Sequence, residues 1–216
     1  TIEPSAVGQK FSPAQTHLTL ELVSDESGWS ALAPHWDRLL SETPGGTLFQ
    51  SYDYLRAWWK HLRDIDKGQE RRLFILTFAI DGDLVGIAPL QIIRQRTYGQ
   101  RLQKLDFIGA RTEVDRPVFL FPHYADLCME RLATFLLAES AQWDCFSVYE
   151  QTALTEPLQA LRDQMDRAGY RTQVFADTLC TQLDLQPSWD EYLGTKSQKL
   201  RKNLKSSRKK PSARGA

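Results

Sequence analysis

The sequence has few of the residues from which disulfide frameworks and metal sites are built. Its 216 residues include three cysteines and four histidines. The cysteines are Cys128, Cys145 and Cys180. They are odd in number, widely spaced and set in apolar segments, which argues against a disulfide framework and against a zinc knuckle. The histidines lack the paired spacing that puts two imidazoles on one metal ion. We therefore expect reduced, buried cysteines and no metal site.

Several functional signatures are also missing. The chain has no Gly-x-Ser-x-Gly elbow and no phosphate-binding Gly-Lys-Ser/Thr loop, so hydrolase and nucleotidase functions gain no support. No apolar run reaches the roughly 20 residues of a membrane span. Residues 1–15 are polar and lack the basic-then-apolar pattern of a secretory signal. These absences predict a cytoplasmic protein without a membrane span.

Acidic residues are absent from one end of the chain. Residues 196–216 hold nine Lys or Arg, which leaves 18 basic against 27 acidic residues in 1–195, a net charge of −9. Clustered positive charge can bind a polyanion by releasing counterions from its phosphates. The candidate residues are Lys199, Arg201, Lys202 and Lys205. The basic run has no interleaved aromatics and the rest of the chain is acidic, so nucleic acid is not the partner we expect.

Two apolar runs joined by an Asp-Gly turn form the clearest element. Residues 73–80 and 84–93 flank Asp81 and Gly82, and Asp-Gly between apolar runs is a strong hairpin signal. Both runs are apolar on both faces, which predicts a central antiparallel pair in a sheet covered on each side. Gly86 and Pro89 interrupt the second strand and predict a bulge or a splayed edge. A fold-specific kink is the default explanation, and a ligand-facing bulge is the alternative.

The remaining patterns alternate between strands and helices, which predicts an α/β class with a mixed sheet. Further strands are predicted at 17–23, 102–108, 117–121, 143–149, 170–175 and 179–185. Helices are predicted at 27–41, from the capping Ser51, at 124–142, and from the capping Thr155 to a stop at Gly169. The aromatic stripe of the helix after Ser51 is expected to be core, with a stacked-aromatic ligand site as the alternative.

The chain is predicted to contain three parts. Residues 1–16 form a disordered leader, 17–187 fold as one α/β domain, and 188–216 begin a second domain that ends in the basic tail. A capping box, Ser188-Trp-Asp-Glu, predicts a short helix. Beyond Lys196 only Leu200 and Leu204 form an apolar stripe, which is too little for a helix without a partner. We expect that segment to be poorly ordered or to borrow a neighbouring surface.

A series of motifs, in order and spacing, resembles one enzyme family. The motifs are residues 48–55 with Trp58-Trp59, residues 81–90, 105–109, 188–193 and 200–205. From residue 18 onward the chain resembles the GNAT-type acyltransferases associated with cellulose and exopolysaccharide biosynthesis, which are CelD-like and related to the FemABX transferases. The resemblance implies a GNAT-like fold, the amino-terminal half of a twin-GNAT architecture. It also implies acetyl-CoA or another acyl-CoA as co-substrate, an amine or sugar acceptor, and no metal.

The resemblance also implies where the two substrates bind. In that family the second half supplies most of the acyl-CoA site, and residues 188–210 correspond to the entry into it. The Gln/Arg-x-x-Gly-x-Gly/Ala loop that grips the CoA pyrophosphate does not occur. We therefore expect the chain ending at Ala216 to lack the donor site and to be inactive alone, and we assign no catalytic base.

The charged loop 109–116 is the candidate acceptor cleft, because loops at strand ends commonly carry functional groups. Arg111 and Asp115 are its candidate residues, and a solvated turn is the alternative for the same loop. A non-catalytic GNAT-like interaction module is the alternative for the whole domain.

Overall fold

The computed structural model describes residues 17–66, 68–110, 118–148, 156–175, 183 and 186–209. The chain divides into two compact units, Thr1–Ala176 and Asp177–Ala216. The expected leader at 1–16 lies outside the described residues, and the predicted domain boundaries stay a prediction. Among the described residues, no helix is long and apolar enough to cross a membrane.

A mixed five-stranded sheet forms the centre of the first unit, in the order β1-β2-β3-β4-β5. The strands are β1 Leu18–Val23, β2 Glu70–Ile80, β3 Asp83–Thr97, β4 Gln100–Phe107 and β5 Cys145–Phe146. The first four strands pair antiparallel, and β5 joins β4 in parallel. The predicted α/β class with a mixed sheet is confirmed, as are the strands at 17–23 and 102–108.

The hairpin of β2 and β3 is confirmed, and local backbone chemistry explains its turn. Asp81 and Gly82 have φ angles of 52° and 89°, the pair of left-handed conformations that a two-residue type I′ turn requires. The register then shifts, because Phe78 pairs with Gly86 while Ala79 pairs with Leu84. The extra residue is Val85, so the predicted bulge is confirmed next to Gly86.

Three helices cover one face of the sheet: α1 Glu26–Ala31, α2 Ala33–Glu42 and α3 Tyr52–Leu62. The single helix predicted at 27–41 is wrong. Pro34 lies in the first turn of α2, where its missing N–H is tolerated. The same proline would break a continuous helix, so the chain is interrupted at Leu32 instead.

The helix after Ser51 forms as predicted, and its aromatic stripe is core. The Ser51 hydroxyl accepts a hydrogen bond from the backbone N–H of Tyr54 at 3.3 Å. Trp58 and Trp59 are buried, and Trp59 contacts Trp29 edge to face with ring centroids 6.1 Å apart. This packing confirms the core assignment for Trp58 and Trp59.

The opposite face of the sheet packs on α4 Ala125–Ala138 and α5 Glu156–Arg167. The helix predicted at 124–142 is therefore shorter, with a 3₁₀ turn at Ser140–Gln142. Gly169 has a φ of 88° and ends the turn after α5, as predicted.

Three of the predicted strands come out differently. The strand predicted at 143–149 is shorter and consists of β5 alone. In place of the strand predicted at 117–121, a single β-bridge joins Leu120 to Ile87. Residues 170–175 do not form a strand. The strand predicted at 179–185 lies almost entirely outside the described residues.

The second unit contains α6 Trp189–Gly194 and α7 Gln198–Lys209. The predicted cap is confirmed, because the Ser188 hydroxyl accepts from the backbone N–H of Glu191 at 3.2 Å. The segment after Lys196, expected to need a partner, is helical. Its Leu204 lines a pocket together with Trp189 and Tyr192 of α6.

Candidate functional site

The parallel pairing of β4 and β5 brings two loops to one edge of the sheet. Lys104 pairs with Cys145 and Leu105 with Phe146, so the carboxyl ends of both strands point the same way. The loops after Phe107 and after Phe146 leave from this edge. Ligands of α/β proteins commonly bind outside the carboxyl ends of parallel strands. We call this region the strand-end site and define it by Gln91, Lys104, Asp106, Phe107 and Cys145.

The loop predicted as an acceptor cleft is rooted at this site. On one side, the backbone N–H of Ile108 donates to the carbonyl of Pro89 at 2.9 Å. On the other, Leu120 and Ile87 exchange two backbone hydrogen bonds of 2.9 and 3.1 Å. Both ends of the loop are thus anchored on β3 within three residues, where β3 changes its neighbour from β4 to the segment around Leu120.

Two side chains bond the peptide groups of Phe107. The N–H of Ile108 points toward β3, where it donates to Pro89. Because neighbouring residues of a strand point their peptide groups to opposite sides, the N–H and the carbonyl of Phe107 face away from β3 and toward the β5 side. There Oδ1 of Asp106 accepts from the N–H of Phe107 at 2.9 Å, and Nε2 of Gln91 donates to its carbonyl at 2.7 Å. Both peptide groups of Phe107 are therefore bonded to side chains and not to β5, and the parallel β4–β5 pairing ends before Phe107.

A buried ion pair lies at the same place. Nζ of Lys104 is 2.5 Å from Oδ2 of Asp106, and the two side chains are 10% and 1% exposed. An isolated charge at such depth would cost several kcal/mol, and the attraction between the two groups offsets that cost. Gln91 is 1% exposed, and its Oε1 meets no hydrogen-bond partner in the part of the chain that the structure describes. The site thus combines fixed charges with an unused acceptor.

The pKa of the nearby thiol, Cys145, disfavours a role as nucleophile. Burial raises the pKa of Cys145; Lys104 lowers it, and Asp144 and Asp106 raise it further. A raised pKa leaves the thiol protonated near neutral pH, and the thiolate is the reactive form. Acyl transfer through a cysteine intermediate at Cys145 is therefore disfavoured.

An aromatic cluster packs on the face of the sheet that also carries α4 and α5, next to the start and the end of the loop 109–116. Phe119 packs on Phe107 with ring centroids 4.9 Å apart and stacks on Phe121 at 5.3 Å. Gly86 lies against the ring of Phe121, so the bulge serves packing. This contact supports the fold-specific kink over the ligand-facing bulge.

The structure locates some of the predicted functional residues. Arg111 and Asp115 lie outside the described residues, so their role in an acceptor cleft stays a prediction. Lys199, Arg201 and Lys202 are exposed on α7. Lys205 belongs to α7, and its side chain is outside the described part. No group of three potential metal ligands occurs among the described residues.

Sequence reasoning missed the buried polar residues of the strand-end site. Gln91 and Asp106 each stand between two apolar residues, and that interruption is the available signal, whereas Lys104 follows the polar Gln103. A polar residue with both strand neighbours apolar is as compatible with a solvated face as with a buried ion pair. Only the pairing of β3 with β4 brings the three side chains to one place.

Comparisons with known proteins give likenesses in structure. No protein-family model and no curated protein matches the sequence. The chain is similar to a GNAT family acetyltransferase of Staphylococcus aureus subsp. aureus USA300_TCH1516, with 11% identity and a TM-score of 0.33 over 76% of this chain and 98% of that one.

It is also similar to two aminoglycoside acetyltransferases from uncultured soil metagenomic samples. The meta-AAC0020 enzyme, solved in complex with sisomicin, shows 11% identity and a TM-score of 0.36 over 76% of this chain and 97% of that one. The HMB0005 enzyme shows 16% identity and a TM-score of 0.37 over 77% and 99%. At TM-scores below 0.5, these likenesses assign neither a family nor an activity to the chain.

Proposed function

We propose that the first unit is a GNAT-type acyltransferase domain that supplies the acceptor side of an acyl-CoA-dependent reaction. The observation that carries the proposal is the strand-end site, where the parallel β4–β5 ladder stops after Leu105 and Phe146 and the loop 109–116 begins. The motif order that resembles GNAT-type acyltransferases supports it. The same resemblance is the basis for proposing a cytoplasmic role in cellulose or exopolysaccharide biosynthesis.

The chemistry of the proposed reaction defines what the site must do. A nitrogen or oxygen of the acceptor attacks the thioester carbonyl carbon, the carbon–sulfur bond breaks, and the acceptor's proton ends on the departing CoA sulfur or on solvent. Catalysis then depends on orienting the acceptor and on N–H groups that stabilise the oxyanion of the intermediate. No metal has a role in the proposal.

Each part of the site has a task in this scheme. Arg111 and Asp115 would hydrogen-bond to the hydroxyl or ammonium groups of the acceptor. Asp106 and Gln91 act as positioning residues, because they hold the peptide groups of Phe107 in place at the base of the loop. Lys104 holds the Asp106 carboxylate in place through the buried ion pair.

The proposal does not place the binding site for the acyl-CoA donor on the residues of this sequence. The sequence has no Gln/Arg-x-x-Gly-x-Gly/Ala loop, which is the motif that binds the CoA pyrophosphate at a helix start in GNAT folds. We expect that the 216-residue chain shows no binding of acetyl-CoA at micromolar concentration in a calorimetric titration. We also expect no release of free thiol when amine or sugar acceptors are added. Measurable binding with turnover would contradict this placement of the donor site.

The acceptor side can be tested with variants of the loop. The double variant R111Q/D115N removes one positive and one negative charge from the loop. A matched control, E130Q/R131Q, removes the same charges from exposed positions of α4. Ligand-observed NMR with glucosamine and cellobiose should show binding to the wild-type chain and to the control, and loss of binding in the loop variant. Equal signals from all three proteins would refute the acceptor cleft.

A further inference from the structure

The second compact unit combines charged and aromatic surface that the proposed acyl transfer does not use. Between residues 196 and 216 the sequence has nine Lys or Arg and no acid. In α7, Lys199, Arg201 and Lys202 are exposed, and none of the three forms an ion pair within the described part of the chain. Their charges are therefore available to a ligand.

An aromatic pair lies in the same unit. Trp189 and Tyr192 stack with ring centroids 5.3 Å apart, and Trp189 is 51% exposed. The ammonium group of Lys196 lies 4.5 Å from the centroid of the Tyr192 ring. Tyr192 is thus engaged by two neighbours, while about half of the Trp189 surface is open to solvent.

A pocket joins the aromatic pair to the basic helix. Its volume is about 270 Å³, and its lining residues are Leu183, Gln186, Ser188, Trp189, Tyr192 and Leu204. Leu204 of α7 forms part of the wall, and Arg201 lies one turn before Leu204 on the same helix face. A flat apolar group bound in this pocket would therefore lie about one helical turn from Arg201.

We propose that the α6–α7 unit binds single-stranded nucleic acid, with bases stacked on Trp189 and phosphates along α7. Base stacking on aromatic side chains beside a line of positive charge is the arrangement that sequence-tolerant single-strand binding uses. The basic run of residues 196–210 contains no aromatic residues, and Trp189 and Tyr192 supply the aromatic surface for stacking.

The geometry favours this ligand over three alternatives. Twelve helical residues span about 18 Å, so the charge of α7 suits a chain of phosphates better than one nucleotide. The bases of a duplex are stacked inside it and cannot reach Trp189. A membrane-surface helix needs a broad apolar face, whereas α7 has only Leu200 and Leu204.

The acidic remainder of the chain sets a condition on binding. Residues 1–195 carry a net charge of −9 and repel a polyanion. Binding must then depend on the α6–α7 unit, and it should weaken steeply as salt rises. Removing cations elsewhere on the protein should have little effect on it.

The test is fluorescence anisotropy of the full 216-residue chain with a labelled single strand of about 12 nucleotides, a length within the range of known single-strand sites. The triple variant K199Q/R201Q/K202Q is compared with K60Q/R96Q/R131Q, which removes three exposed cations from the first unit. The α7 variant should reduce the slope of log affinity against log salt by about two units. The control should leave the slope unchanged. None of these six substitutions touches a buried side chain, so loss of folding is not the expected cause of a change.

The stacking contribution is tested separately at Trp189. W189A should weaken binding roughly 5- to 150-fold, and W189F should retain most of the affinity because phenylalanine still stacks. Inorganic polyphosphate, which has charge and no bases, should compete poorly. Equal salt slopes for the two triple variants would overturn the proposal. So would full binding by W189A with equal competition by polyphosphate, or binding to phosphatidylserine vesicles without binding to the oligonucleotide.

Discussion

A Cβ atom added to Gly86 would lie 2.8 Å from Cδ1 of Phe121 and 3.4 Å from Sγ of Cys128. Phe121 is buried and packs edge to face on Phe78 at 5.0 Å, so its ring has little freedom to move away. The missing side chain at the bulge of β3 therefore lets the segment after the loop close on the sheet. This contact connects the bulge to the anchoring of the loop 109–116.

Replacing Gly86 by alanine should lower the free energy of unfolding by about 1–3 kcal/mol, because the added methyl group overpacks the core. In urea denaturation, F121L should recover part of the loss when combined with G86A, since the smaller side chain relieves the contact. The matched control is G194A, because a Cβ at Gly194 meets nothing within 4 Å. A G86A protein as stable as wild type would show that Phe121 does not depend on the glycine.

Removing one partner of the Lys104–Asp106 pair should destabilise the protein strongly. K104M takes the cation away from a carboxylate that is 1% exposed, and such changes cost about 3–5 kcal/mol. D106N keeps an oxygen that can accept from the N–H of Phe107, so K104M/D106N should cost less than the sum of the single changes. As a surface control, E70Q breaks the exposed pair between Glu70 and Arg94 and should cost less than about 1 kcal/mol. Strict additivity in denaturant unfolding would argue that the two groups do not interact.

The two described cysteines should react slowly in the native protein. Burial raises the pKa of Cys128 to about 12, and burial also raises the pKa of Cys145. Both thiols are then protonated at pH 8, and alkylation requires the thiolate. In a C180S background, mass spectrometry after iodoacetamide treatment should find both sites unmodified until urea is added. Rapid native labelling of Cys145 would show that the strand-end site is open to reagents.

The cap of α1 should make stability depend on acid pH. The backbone N–H of Gly28 and the hydroxyl of Ser27 donate to Asp25 and lower its pKa below the ordinary value of 3.8. A lowered folded pKa means that the stabilisation is complete above pH about 4 and is lost as the pH falls through the folded value. D25N should remain capped and should show a shallower loss of stability in acid. An NMR titration that gives the Asp25 carboxyl a pKa of 3.8 or higher would contradict this account.

Local signals were enough to predict the hairpin and two helix caps. Asp81-Gly82 specifies its turn because the two residues tolerate positive φ angles, and Ser51 and Ser188 cap helices through bonds within three residues. These interactions need nothing from the rest of the chain. Pro34 is also a local signal, and the single helix predicted at 27–41 overlooked it.

The strand-end site could not be predicted, because it depends on contacts between distant residues. The parallel pairing of β4 with β5 joins residues about 40 positions apart. Gln91 reaches the carbonyl of Phe107 only once β3 and β4 are in register. The strand predicted at 170–175 is wrong, since a strand depends on pairing with a neighbouring edge and residues 170–175 are in none of the ladders that the structure describes.

The most direct test of the acceptor side is an amide NMR titration of the isotope-labelled chain with glucosamine and with cellobiose. The account predicts shifts in the backbone N–H signals of Phe107, Ile108 and Leu120, which hold the loop at the ends of β4 and β5. It also predicts no shifts in α7. Shifts confined to other regions, or none with either sugar, would contradict an acceptor site at the strand ends.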